Sequence, residues 1–134
     1  MAAEENLAAV RRIYDEVGDL SDSARELYSP DYVMDVSAVT PDIGVLKGWE
    51  VANAAAETYF QTFDDFRIEI EEVLYTDDTH VVTAVRDGGR MKGSDAEIHN
   101  RFFHVWTFRD GKVVRFSSHL ERRDALDAAG LSAP

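Results

Sequence analysis

Ile98 to Leu126 reads IHNRFFHVWTFRDGKVVRFSSHLERRDAL, and this stretch decides the fold. Two runs rich in Phe, Val, Trp and His flank Arg109-Asp110-Gly111. Apolar runs around a Gly-containing turn predict a β-hairpin. Turn length sets which side chains share a face. A two-residue Asp110-Gly111 loop pairs His104 with Ser117 and sets Arg115 beside Trp106. A three-residue loop, with Gly111 left-handed in a bulge, pairs Trp106 with Val114 and His104 with Phe116. The second reading is preferred, because it gathers an apolar face from Phe102, His104, Trp106, Phe108, Val114, Phe116, Ser118 and Leu120. Arg101, Phe103, Val105, Thr107, Arg115, Ser117 and His119 then fall on the other face. A histidine, an indole and a hydroxyl on the apolar face fit a pocket wall. The plain alternative is a packed core with one hydrogen-bonded histidine.

The rest of the chain must bury that face. Leu7, Val10, Ile13, Tyr14 and Val17 recur at helical spacing, which predicts a helix from Glu4 to Val17 stopped by Gly18. Ser23 with Glu26 forms a capping-box pattern for a short second helix ending near Tyr28, broken by Pro30. Tyr32 to Ser37 alternates as a first strand, with Tyr32, Met34 and Val36 on one side and Val33, Asp35 and Ser37 on the other. Ala38 to Gly48 is predicted as a loop of lid or mouth length. Trp49, Ala52, Ala56, Tyr59, Phe60 and Phe63 form the stripe of a third helix running to Phe63.

Phe66 to Tyr75 reads as a half-buried strand with a bulge at Glu72-Val73-Leu74, and His80 to Arg86 as the next strand. Asp87-Gly88-Gly89 through Ser94-Asp95 is predicted as a loop or hairpin tip. Arg122 to Ala129 is a terminal helix ended by Gly130. Helices come first and antiparallel strands last. The expected class is α+β: a cone-shaped barrel, with three helices packed in the concave face of a strongly curved, mostly antiparallel sheet, as one domain over residues 1–134.

Composition narrows the function. The chain carries a net charge of −12, which argues against nucleic acid and anionic membrane surfaces as partners. It has no cysteine, so thiolate metal sites and disulfides are excluded. MAAEEN lacks the basic and apolar blocks of a signal peptide, and no apolar run reaches spanning length, so a cytoplasmic protein is expected. His99 and His104 point to opposite faces of their strand, so no metal site is expected. Nothing matches a phosphate loop, a nucleophile elbow or a dinucleotide fingerprint, and no cofactor is expected.

The order of elements resembles the nuclear transport factor 2-like superfamily, and more closely its SnoaL-like branch, named for polyketide cyclases. The resemblance rests on VRRIYDEVGD at Val10 to Asp19, LYSPDYVMDVS at Leu27 to Ser37 and GVLKG at Gly44 to Gly48. It continues in FDDFRIEIEEV at Phe63 to Val73, HVWTFRDGKVVRF at His104 to Phe116 and ERRDALDAAGL at Glu121 to Leu131. The resemblance implies a pocket protein, since this fold hosts isomerases, dehydratases and cyclases. Its ketosteroid isomerases use a carboxylate base with a tyrosine and a protonated aspartic acid. By resemblance the base falls at Val36, beside Asp35, the acid at His104, and the tyrosine near Arg11 or Arg12, within a turn of Tyr14. The departures at base and acid argue against that steroid mechanism.

The candidate catalytic residues are therefore His104, which can exchange a proton near neutral pH, and Asp35, if its strand twists inward. Tyr14, Met34, Val36, Trp49, Tyr59, Phe60, Arg86, Phe102, Trp106, Phe116, Ser118 and Leu120 are the candidate substrate-binding residues. Arg86 could hold an anionic group or simply pair with a surface carboxylate. The expected partner is a small apolar molecule, taken by an acid-base isomerase, cyclase or dehydratase. The alternatives are a non-catalytic binding module and a dimeric interaction domain. Phe103, Val105 and Val113 on the outer face would leave an apolar patch, which predicts a homodimer there.

Overall fold

A computed structural model describes residues 2–16 and 22–131. Among the described residues four helices, α1 (Ala2–Asp15), α2 (Asp22–Arg25), α3 (Trp49–Phe60) and α4 (Arg122–Ala128), accompany six strands. These are β1 (Tyr28–Asp35), β2 (Val45–Lys47), β3 (Arg67–Thr76), β4 (His80–Arg90), β5 (Glu97–Arg109) and β6 (Lys112–His119). They form one sheet in the order β2-β1-β6-β5-β4-β3. β3 to β6 run as an antiparallel meander, and β1 joins β6 in parallel. The sheet is curved and does not close. The main core fills its concave side, where Val10 and Tyr14 of α1 and Ala52 of α3 pack against Val81, Val85, Trp106 and Phe116.

The hairpin turn differs from the preferred sequence reading. Asp110 and Gly111 both have positive φ, 54° and 79°, as a two-residue type I′ turn requires. Arg109 pairs with Lys112 and Phe108 with Val113. The register then slips between Thr107 and Phe108, leaving Val114 as the extra residue of a bulge. Beyond it Trp106 pairs with Phe116 and His104 with Ser118. The bulge undoes the face reversal that the shorter turn would cause. Phe102, His104, Trp106, Phe116 and Ser118 therefore share a face as expected, but Val113 replaces Val114 in the core. Val113 is fully buried and its N–H bonds to the Leu27 carbonyl at 2.9 Å. Burying a valine is worth about 1.5–3 kcal/mol, against about 1 kcal/mol for a lost ladder bond, so the core fixes the bulge.

Other boundaries moved for similar reasons. α1 shows its expected stripe, while Val17 and the Gly18 stop lie outside the described residues. Ser23 does not cap α2, since it sits inside that one-turn helix. β1 starts at Tyr28 rather than Tyr32. It admits Pro30 because pairing with β6 is irregular between Tyr28 and Val33, so no ladder donor is needed there. The loop after β1 contains β2, which pairs with Val33 to Asp35 and lengthens the sheet. α3 ends at Phe60, three residues short of Phe63. The irregularity expected near Glu72 is present, as register shifts between Ile70 and Glu72 and between Val73 and Tyr75.

The largest correction concerns Asp87-Gly88-Gly89. These residues are strand, paired with Asn100, His99 and Ile98. A Cβ on Gly88 would stand 1.8 Å from the Ile98 carbonyl oxygen. The glycine permits close backbone approach rather than a turn. On the convex face, Ala125 and Ala129 cover Val82 and Val105, with Phe103 and Leu126 packed beside them. The outer patch expected to meet a second copy is thus covered by α4, and Val113 faces inward. The homodimer expectation loses the observation it stood on. Among the described residues no helix is long and apolar enough to cross a membrane.

Candidate functional site

A cavity of about 300 Å³ lies between the concave sheet face and the helices. Its wall is mainly apolar. One polar station sits at His104, which the alternation of β5 turns inward. Burial leaves His104 6% exposed. Phe102 stacks along the strand at 6.3 Å between ring centroids, and Phe116 meets the imidazole edge-on at 4.7 Å. From α1, the Tyr14 hydroxyl reaches Nδ1 of His104 at 2.7 Å. Trp106 Nε1 donates to the same hydroxyl at 2.9 Å, and Thr83 Oγ1 lies 3.0 Å from it.

A phenol has one proton and two lone pairs, so three partners saturate it. Trp106 only donates. Of Thr83 and His104, one must therefore donate and the other accept. Among the described residues Nε2 of His104 has no partner and no buried side-chain nitrogen or oxygen is left unsatisfied, so Nε2 is open to the cavity. Burial pulls the imidazole down to about 3, with the charge of His119 adding to the effect, and it is neutral at physiological pH. Burial also pushes the Tyr14 phenol up.

A second polar station was missed by the sequence reading. Asp87 faces the cavity from β4 and is 6% exposed. Its Oδ1 accepts from the Tyr59 hydroxyl at 3.0 Å and from Asn100 Nδ2 at 3.2 Å. Asn100 Nδ2 also donates to the Tyr59 oxygen at 3.1 Å. Burial raises the Asp87 carboxyl despite these two bonds. A signal for it was present, because Asp87 continues the inward set Val81, Thr83 and Val85 at period two. The following glycine pair masked it.

Of the residues expected at the site, Tyr14, Met34, Val36, Trp49, Tyr59 and Phe60 line the cavity with His104. Phe102, Trp106, Phe116 and Ser118 line it too. Three expected residues do not. Asp35 faces away, where its carboxylate accepts from Ser37 Oγ at 2.6 Å and from Arg115 Nη2 at 2.6 Å. The Ser37 hydroxyl, then its N–H and Arg115, hold that carboxyl below its usual value. Arg86 is exposed on the convex face, opposite Arg101 and Glu69. Leu120 follows the end of β6, where alternation no longer directs it, and is 59% exposed. Among the described residues no three His, Asp or Glu side chains are grouped to hold a metal ion.

Comparison with known proteins agrees with this architecture. Bal32a, from a soil-derived mobile gene cassette, superposes with a TM-score of 0.77 at 23% identity, over 96% of this chain and 98% of that one. A protein from Jannaschia sp. CCS1 classed as a SnoaL-like polyketide cyclase gives 0.74 at 21% identity, over 99% and 95%. An epoxide hydrolase from M. tuberculosis of the LEH-like type gives 0.69 at 14%, over 95% and 90%. No curated protein matches the sequence significantly. These likenesses establish the fold alone. The model of the SnoaL-like domain matches residues 3–116. That match spans most of the chain, from α1 to the Phe116 that walls the cavity, and the protein belongs to the SnoaL-like domain family.

Proposed function

We propose that the cavity binds a small, largely apolar, oxygenated compound and that the protein acts on it by acid-base chemistry, as an isomerase, cyclase or dehydratase. One observation carries the reading. A buried neutral histidine is held at Nδ1 by Tyr14 and keeps Nε2 open to an apolar cavity of about 300 Å³. Pockets that hold small molecules start near that size, and they orient their ligands with a few converging polar groups. The fold's solved relatives include a protein classed as a polyketide cyclase and an epoxide hydrolase, and both names imply small-molecule chemistry. By resemblance the ketosteroid base falls at the aliphatic Val36, which speaks against that trio.

His104 is suited to orienting a carbonyl or hydroxyl, since it gives or takes a hydrogen bond while remaining uncharged. Calorimetric titration with a panel of aromatic phenols and cyclic ketones tests the reading. Saturable binding is expected in the parent protein. It should be lost in Ala56→Trp, which fills the cavity from α3, and weakened about tenfold in His104→Ala, the value of one lost hydrogen bond. Equal binding by the parent and the filled variant would sink it.

A further inference from the structure

We propose that Asp87 is the proton-transferring carboxylate of this cavity, acting on a flat carbon acid no longer than about two fused rings whose far polar end meets His104. This deepens the small-molecule reading above and rests on it.

The geometry separates the two oxygens of Asp87. Oδ1 is pinned by Tyr59 and Asn100, which fixes the plane of the carboxylate. Among the described residues Oδ2 has no hydrogen-bond partner and no buried side-chain oxygen is left unsatisfied, so Oδ2 is not sealed. Asp87 lines the cavity, so Oδ2 opens on it. Among the described residues no ion pair includes Asp87. A carboxylate without a cation and in apolar surroundings is a stronger base than one in water. The other candidates fit the task less well. Asp35 is ion-paired on the opposite face, and His104 resists protonation.

The strand register limits the length of the substrate. Asp87 pairs with Asn100, and His104 lies four residues further along β5 on the same face. At about 3.3 Å per residue the backbones of the two stations are roughly 13 Å apart, and side chains that project into a concave face converge. A hydrogen bond of about 2.8 Å at each end leaves at most about 8 Å for the ligand, the span of two fused six-membered rings. Phe102, between them on the same face, supplies an apolar floor.

The step balances without another reagent. Oδ2 takes a proton from a carbon conjugated to the far oxygen. The C–H electron pair moves into the ring system, and the negative charge arrives on the oxygen held by Nε2–H of His104, in the tautomer whose Nδ1 accepts from Tyr14. The carboxylic acid then returns the proton to another carbon, and the net change is an isomerisation.

The probe is 5-nitrobenzisoxazole, a two-ring carbon acid with a nitro group at its far end. Removal of its C3 proton forms a nitrile as the N–O bond breaks, and the product is a coloured phenolate. The parent protein is expected to open it about 100-fold faster than acetate at equal carboxylate concentration, the scale of general base catalysis. Asp87→Asn should fall to the background rate, and Asp35→Asn should match the parent. Asp87→Ala should also be inactive and regain turnover when acetate is added, which separates loss of the base from loss of the fold. Binding is followed separately through quenching of Trp49 and Trp106. If the probe quenches but Asp87→Asn opens it at the parent rate, the assignment of Asp87 is overturned while the pocket reading stands. If the probe neither quenches nor opens, both fall.

Discussion

The hydroxyl of Tyr14 stands 2.7 Å from Nδ1 of His104, joining α1 to β5 across 90 residues of chain. That hydroxyl also takes the Trp106 N–H and contacts Thr83, so α1, β4 and β5 share a polar bond there. Tyr14→Phe would leave the indole N–H without an acceptor and Nδ1 without its partner. Each stranded buried group costs about 1–3 kcal/mol. The variant should lose about 3 kcal/mol in urea unfolding. A loss below about 0.5 kcal/mol, the spread of ordinary surface changes, would show that the network carries no stability.

Thr83 decides the tautomer of His104. With valine there, Tyr14 keeps one donor, Trp106, and one remaining partner. If Nδ1–H donated to Tyr14, the phenolic proton would be buried without an acceptor. Tyr14 must then donate to Nδ1, which puts the ring proton on Nε2, facing the cavity. ¹⁵N spectra of Thr83→Val should therefore show the Nε2–H tautomer alone. A dominant Nδ1–H form would contradict the assigned network.

Acid should unfold the protein partly through His104. Its folded value, about 3, lies below the ordinary 6.5, so the unfolded chain binds a proton that the folded one refuses. Stability from this group is complete above about pH 6.5 and declines as pH falls toward 3, by up to about 1.4 kcal/mol per unit. The raised carboxyl of Asp87 acts the other way, since the folded state holds that proton more tightly. Between pH 7 and 4.5, the parent should lose more stability than His104→Gln. Parallel losses would assign the acid sensitivity elsewhere.

Two glycines should respond differently to alanine. Gly111 has φ 79° and nothing within 4 Å of an added Cβ, so only backbone strain of about 1 kcal/mol is expected. Gly88 has φ 139° and would drive its Cβ into the Ile98 carbonyl. β5 would have to move off β4, at a cost of about 3 kcal/mol or more. Thermal melts of the two variants check this, and equal shifts would mean that β4 and β5 do not approach so closely around Asp87.

The sequence by itself determined what depends on local period. Alternation put His104 and Trp106 on the face that became the cavity wall, because successive strand side chains point to opposite sides whatever the partner. The same alternation pointed Asp35 outward, and there it pairs with Arg115. Helical spacing brought Tyr14 into line with Val10. The tertiary structure decided what depends on a distant neighbour. The bulge sits at Val114 because Val113 has a core to enter and the Leu27 carbonyl to bond. Asp87 is a cavity residue because β5 comes close enough to need glycine at position 88, a contact that in the sequence alone looks the same as a turn. α4 covers Val105 because its alanines let it lie flat on the sheet. No local pattern records that such a surface will be met by the same chain rather than by a second copy.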